Sequence, residues 1–208
     1  MHHGCENLDG WGFGWFDEAG RPVRYRTTQP LPSDRQGRER LGETCADRFM
    51  VHVRQKSPGT ATDVTGNAPF SDGRWLFAHN GAVAGFREGV RDELVARVSP
   101  ARRAGLDGDT DSEVLFALVL DELEGGATGA EALAVVAKVG HQFGGRYNVL
   151  LMDPTGFVAT RWGNSLYVRE TEGITLASEP LDASTGWQAV DDRSIVVVDE
   201  HGLREEPW

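Results

Sequence analysis

The sequence contains few cysteines and no long apolar run. Cys5 and Cys45 are the two cysteines in 208 residues, which is too few for a disulfide framework. A reducing cytoplasm is therefore the expected setting. No signal-type segment opens the chain, and no apolar run approaches the roughly 20 residues of a membrane span. These features argue against a secreted disulfide-rich protein and against a membrane protein.

Positive charge is also scarce. Lys and Arg total 21 against 32 Asp and Glu, which gives a net charge of −11. The segment 97–103 holds three arginines and is interpreted as a solvated loop or helix end. A chain of this charge is not expected to bind nucleic acid or an anionic membrane. Internal repeats and low-complexity tracts are lacking too, and the length suits one domain spanning residues 1–208.

The order of the predicted elements indicates the fold class. An alternating aromatic and glycine strand is predicted at 11–16, with a return strand at 23–26 and a further strand at 49–54. Helices are predicted near 37–45 and at 85–98, 114–123 and 130–139, and the last third reads as a meander of short strands. Strands, then helices, then strands are typical of an α+β domain rather than of βαβ units.

The segment Arg74–Val83 is the most informative stretch. Trp75 to Ala78 reads as a short buried strand, and Asn80-Gly81 reads as the turn that ends it. Such a turn would place the Asn80 amide and the Gly81 N–H at one spot, which is what an oxyanion hole for acyl transfer requires. The alternative is a simple hairpin turn with no chemical role.

Two charged residues complete a possible amino-acid clamp. Arg54 closes a strand, and an arginine fork holds a carboxylate through two parallel hydrogen bonds. Asp111 opens a helix, and a carboxylate can hold an ammonium group. Arg54 could instead be a surface residue, Asp111 a helix cap with Thr110 and Glu113 forming a capping box, and His52 and His79 core histidines.

Taken together, the motifs resemble the class II glutamine amidotransferases. The matching segments occur in the family's order over nearly the whole chain; they are 7–12, 52–54 with Gly59, 68–70, 77–81, 108–113, and 178–181 with Trp187. Within the family, Ser178 to Leu181 and Trp162-Gly163 resemble the branch that contains the γ-glutamyl hydrolase of ergothioneine biosynthesis and its uncharacterised relatives.

The resemblance implies an N-terminal nucleophile hydrolase-like αββα sandwich and a γ-glutamyl amide hydrolase. It implies that Arg54 binds the substrate α-carboxylate and Asp111 the α-amino group. It further implies that Asn80 and Gly81 form the oxyanion hole, with His79 as support. No metal or organic cofactor is implied. The implied partners are a small γ-glutamyl substrate and either a separate ammonia-accepting synthase or a second copy of the chain.

The family's nucleophile is an amino-terminal cysteine, and position 2 here is His2. We expect the family's opening strand and its cysteine to lie some tens of residues before Asp9-Gly10-Trp11-Gly12, so that this chain lacks its first strand and is inactive as written. Cys5 is the alternative nucleophile, and Cys45 is internal. The His2-His3 pair could hold a metal or simply be a frayed end. A non-catalytic γ-glutamyl-binding or scaffold protein remains the second hypothesis.

Overall fold

The computed structural model describes residues 7–57 and 59–208. Cys5, His2 and His3, which were considered above as nucleophile or metal ligands, lie outside the described residues. Along the described chain the strands and α-helices follow in this order: β1 (Trp11–Phe16), β2 (Pro22–Thr27), α1 (Arg35–Glu43), β3 (Phe49–Val53), β4 (Phe70–Asp72), β5 (Trp75–Val83), α2 (Val90–Arg97), α3 (Pro100–Arg103), α4 (Asp111–Glu124), α5 (Gly129–Ala132), α6 (Ala134–Phe143), β6 (Gly145–Asp153), β7 (Gly156–Arg161), β8 (Tyr167–Glu170), β9 (Ile174–Ala177), β10 (Gln188–Ala189), β11 (Ser194–Asp199) and β12 (Gly202–Pro207).

The strands form three antiparallel sheets. The largest has the order β12-β11-β7-β6-β5-β4, the second has the order β2-β1-β3, and a small sheet has the order β10-β8-β9. In the largest sheet β5 pairs with β6 from Leu76↔Met152 to Val83↔Gly145. On its other side β5 pairs with β4 only from Trp75 to Phe77. Among residues 7–57 and 59–208, the second half of β5 therefore has no neighbouring strand on the β4 side.

The two faces of β1 explain how the sheets stack. Trp11, Phe13 and Trp15 lie on one face, where the rings stack in succession 5.4–5.5 Å apart and pack beneath α1. Gly12 and Gly14 lie on the other face. A Cβ at Gly12 would stand 2.4 Å from the Ala68 carbonyl oxygen, and one at Gly14 would touch Leu76. The glycines therefore let the β2-β1-β3 sheet lie directly on the β4–β5 hairpin.

Helices cover the opposite face of the largest sheet. In α4 every residue from Val114 to Leu120 is buried, and Phe116 stacks on Phe77 of β5 with ring centroids 4.9 Å apart. Each such fully buried large apolar side chain contributes about 1.5–3 kcal/mol. The order of layers is therefore α1, the β2-β1-β3 sheet, the largest sheet and the helices α2, α4 and α6. This is the expected αββα sandwich of an α+β domain.

Some local predictions were wrong. Asn80-Gly81 is not a turn, because β5 continues through both residues to Val83 in register with β6. β4, at Phe70–Asp72, has no counterpart among the strands predicted above for the first two thirds of the chain. The predicted helix at 130–139 is split into α5 and α6. Within the described residues, no helix is long and apolar enough to cross a membrane, and no cluster of three or more metal-binding side chains occurs.

Candidate active site

The free edge of β5 from His79 to Val83 is the centre of the candidate site, and we call it the open edge. The Val83 N–H donates to Asp111 Oδ2 at 2.8 Å rather than to β6. Residues opposite each other in antiparallel strands alternate between pairs that exchange hydrogen bonds and pairs that do not. Because the Val83 N–H does not bond to β6, Val83↔Gly145 is a pair that does not exchange hydrogen bonds. Gly81↔Tyr147 lies two residues along and is therefore a pair of the same kind. Consistently, the Tyr147 N–H donates to Trp162 on the β7 side. The Gly81 N–H therefore points outward from the open edge.

Glycine at position 81 is required by close packing rather than by a turn. A Cβ there would stand 2.0 Å from the Arg146 carbonyl oxygen and 2.6 Å from His79 Nε2. Position 81 does not have a positive φ. The sequence predicted that the Gly81 N–H would be accessible, and the edge of β5 makes it so. The turn that was predicted to expose this N–H is wrong.

The side chain of His79 points away from solvent behind the open edge and is buried. Its Nδ1 is 3.1 Å from Ser112 Oγ, its Nε2 is 3.0 Å from the Arg146 carbonyl oxygen, and its ring stacks on Tyr147. These contacts join β5, β6 and the start of α4. His79 is therefore placed to fix the strand that carries Asn80 and Gly81.

Asp111 begins α4 at the end of the open edge. Its Oδ1 accepts the Ser112 N–H at 2.8 Å, and its Oδ2 accepts the Val83 N–H. Thr110 caps the helix, as predicted, by accepting the Glu113 N–H. The Glu113 carboxylate, however, accepts the N–H groups of Asp107 and Gly108 instead of completing a capping box. A carboxylate has about four acceptor positions, so Asp111 can still accept hydrogen bonds from an ammonium group.

Arg54 is buried, at 6% exposure, and is not a surface residue. Its guanidinium donates to Asn67 Oδ1 at 2.9 Å and to the carbonyls of Asp63 and Ala61. A Cβ at Gly66 would lie within 2.6–3.0 Å of the guanidinium, so that glycine makes room for it. Desolvation lowers the pKa of Arg54, and this is partly offset by carboxylates that include Asp111. An arginine remains charged under these conditions.

His52 lies between Arg54 and the open edge. Burial, followed by the nearby His79, lowers its pKa to about 4, and the His79 carbonyl only partly offsets this. His52 is therefore neutral at neutral pH. Its Nδ1 is buried without a hydrogen-bond partner among the described residues. A charged imidazole here would compete with Arg54 for an anionic substrate group.

Sequence reasoning missed three asparagines around the site. Asn67 is fully buried and orients Arg54, Asn148 lies opposite Asn80 across the β5–β6 pair, and Asn164 donates to Asn80. Asn67 immediately precedes the Ala68-Pro69-Phe70 motif, which was the one available signal. Asn148 and Asn164 are brought close to Asn80 by strand pairing, and nothing in their local sequence indicates this.

Comparison with known proteins shows the family to which the chain belongs. A family model for class II glutamine amidotransferases matches residues 2–208. A curated relative, the gamma-glutamyl-hercynylcysteine sulfoxide hydrolase of Mycobacterium tuberculosis, is 35% identical over 203 residues, covering 97% of this chain and 79% of the relative. A solved structure described as a glutamine aminotransferase class-II domain protein from Silicibacter pomeroyi has a TM-score of 0.77 at 27% identity, over 95% of this chain and 91% of that one.

A more distant structure confirms the fold alone. The glutamine phosphoribosylpyrophosphate amidotransferase of Bacillus subtilis has a TM-score of 0.73 at 17% identity, over 97% of this chain and 44% of that one. The fold is that of an enzyme domain of the N-terminal nucleophile type. The chain belongs to the class II glutamine amidotransferases.

Proposed function

We propose that this protein, with residues 1–208 as one domain, cleaves the γ-amide bond of a small γ-glutamyl compound and releases glutamate. The observation that supports this most is the grouping along the open edge. The Gly81 N–H points outward there, Asp111 binds the neighbouring Val83 N–H, and Arg54 lies near enough for Asp111 to influence its pKa. A guanidinium and a carboxylate beside an N–H that has no partner in the described part of the chain suit an α-amino acid that reacts at its side chain.

Each residue has a defined role in the proposal. The Arg54 guanidinium holds the substrate α-carboxylate, and Asp111 holds the α-ammonium group. The Asn80 amide and the Gly81 N–H donate to the γ-carbonyl oxygen as it becomes negative in the tetrahedral state. Such donors stabilise the transition state more than the bound substrate, and losing one costs about 10²–10³ in kcat. His79 supports the strand that carries the two donors.

The proposed reaction proceeds through a cysteine thioester. A thiolate attacks the γ-carbonyl carbon, the amine takes up a proton and leaves, and water then hydrolyses the glutamyl thioester. An α-amino group, whose pKa is about 7.7–8.0, is a suitable base when the cysteine is amino-terminal. Cys5 lies outside the described residues. Cys45 precedes β3, whose five residues extend roughly 17 Å toward Arg54, so Cys45 is not our candidate.

The name of the mycobacterial relative indicates the substrate class. That protein is a hydrolase of gamma-glutamyl-hercynylcysteine sulfoxide. We propose that the substrate of this chain is likewise a γ-glutamyl conjugate of a sulfur-containing amine. Glutamine is the simpler alternative substrate. The clamp recognises only the glutamyl part, so both substrates satisfy it.

A non-catalytic γ-glutamyl-binding protein is the second candidate. It needs only the clamp groups Arg54 and Asp111, neither of which is a nucleophile. Such a protein would use the same clamp and bind without cleaving.

The test is glutamate release from glutamine and from a γ-glutamyl conjugate, assayed with protein purified from its native cell. Release that is lost in Arg54→Ala and retained in the surface variant Arg21→Ala supports the hydrolase. The amino-terminal sequence of the same sample identifies which cysteine, if any, carries the free amine. Binding without release supports the second candidate. A folded protein that neither binds the compound nor releases glutamate contradicts both candidates.

A further inference from the structure

The turn after β7 is held by one buried amide. Asn148 is 7% exposed, and its Oδ1 accepts the N–H groups of Trp162 and Asn164 at 3.0 and 3.4 Å. Its Nδ2 donates to the carbonyls of Ser165 and Asn164 at 2.9 and 3.4 Å. Both ends of the Asn148 amide are thus used within residues 162–165. This segment, which we call the asparagine turn, is fixed to β6 directly opposite Asn80.

The asparagine turn reaches the candidate oxyanion hole through one side chain. Asn164 Nδ2 donates to the Asn80 carbonyl oxygen at 3.0 Å and to Asn80 Oδ1 at 3.3 Å. Asn80 is itself exposed. Apart from the β5–β6 ladder, its side chain and carbonyl are bonded, within the described residues, by Asn164. Asn164 is thus the contact that holds an otherwise solvent-facing amide.

The direction of this contact matters for the chemistry. An asparagine amide has an oxygen that only accepts and an NH₂ group that only donates. Only the NH₂ group can stabilise an oxyanion. Because Asn164 presents a donor, it selects the rotamer in which Asn80 Oδ1 faces the asparagine turn and the NH₂ group faces away from it.

We propose that Asn164 is a positioning residue that holds the Asn80 amide with its NH₂ group directed at the substrate γ-carbonyl oxygen. The inference rests on the proposed function, because it assigns the NH₂ group of Asn80 to the oxyanion hole. Asn164 does not touch the substrate in this proposal; it acts through Asn80.

The kinetic test uses Asn164→Asp, which keeps the shape of the side chain and removes its donor. We expect kcat to fall at least tenfold, but by no more than the 10²–10³-fold loss expected for Asn80→Ala. KM should change less than threefold. Ser165→Ala is the matched control, since the Ser165 hydroxyl donates to Ser178 in the other direction. Asn164→Gln retains a donor and should recover part of the loss.

A double variant tests whether Asn164 acts through Asn80. Adding Asn164→Asp to Asn80→Ala should lower kcat no further, because the group that Asn164 orients is already gone. Multiplied losses, or equal losses in Asn164→Asp and Ser165→Ala, would overturn the proposal and leave Asn164 a general support of the turn.

A measurement without substrate separates this inference from the proposed function. In ¹⁵N relaxation spectra of the 208-residue chain, the Asn80 side-chain NH₂ signal is assigned by its loss in Asn80→Asp. We expect this signal to be ordered in the parent and in Ser165→Ala, and mobile in Asn164→Ala. Equal mobility in all three overturns the positioning role. Absence of glutamate release by the protein purified from its native cell counts against the proposed function alone.

Discussion

Replacing Gly81 with alanine tests the open edge most severely. The new Cβ would lie 2.0 Å from the Arg146 carbonyl oxygen and 2.6 Å from its carbonyl carbon, where ordinary contact begins near 3.4 Å. Both obstacles are main chain, so β5 and β6 must separate by more than 1 Å locally. Overpacking of this kind costs typically about 1–3 kcal/mol, and we expect the upper end because backbone has to move.

For a chain of this size, a loss of about 3 kcal/mol lowers Tm by roughly 6–12 °C. Gly42→Ala is the matched control, because a Cβ at that position in α1 meets nothing within 4 Å. Alanine in a helix interior should stabilise by about 0.5–1 kcal/mol. Differential scanning calorimetry measures both effects. Similar Tm values for the two variants, together with unchanged glutamate release by Gly81→Ala, would refute the close packing that we describe at the open edge.

Three further predictions concern the charged and polar groups of the site. His52 is neutral in the fold with a pKa of about 4, against about 6.5 unfolded, so its contribution to stability is present above pH 6.5 and lost as the pH falls toward 4. Between pH 7 and pH 4.5 this loss amounts to about 2 kcal/mol of unfolding free energy. Urea denaturation should show that His52→Gln no longer has this loss, whereas the exposed His201→Gln still has it. Asp111→Asn should weaken binding of L-glutamate at least tenfold and leave the weaker binding of glutarate unchanged; equal effects on both ligands would refute the ammonium-binding role. Asn67→Ala removes the shortest of the three hydrogen bonds given above for the Arg54 guanidinium, so we expect a loss of about 1–3 kcal/mol in unfolding free energy by chemical denaturation, and a change below 0.5 kcal/mol would contradict that role.

The layers of the fold could be predicted because their signals are local. The alternation of Trp11, Phe13 and Trp15 with glycine gave β1, and the order of strands and helices gave the α+β class. The extent of β5 could not be predicted, because Asn-Gly is a strong turn signal and pairing with β6, some 65 residues away, overrides it. The division of the 130–139 helix at Leu133 likewise has no clear local signal.

The candidate site was predicted only in part. Arg54, Asn80, Gly81 and Asp111 stand at element ends or in recognisable motifs, so each could be proposed from sequence. Their supporting residues could not. Asn67, Asn148 and Asn164 are single asparagines in unremarkable segments, and their contacts to Arg54 and Asn80 arise only when the two sheets and the asparagine turn come together.

The most direct test of the central claim is a calorimetric titration of the folded 208-residue chain with L-glutamate. The account predicts binding that weakens by about 2–5 kcal/mol, or at least thirtyfold, in Arg54→Ala and is unchanged in Arg21→Ala. Circular dichroism on each sample establishes that the variants are folded. Failure of the folded parent chain to bind L-glutamate, or equal affinity in Arg54→Ala, would contradict the claim that Arg54 and Asp111 form a clamp for the glutamyl group.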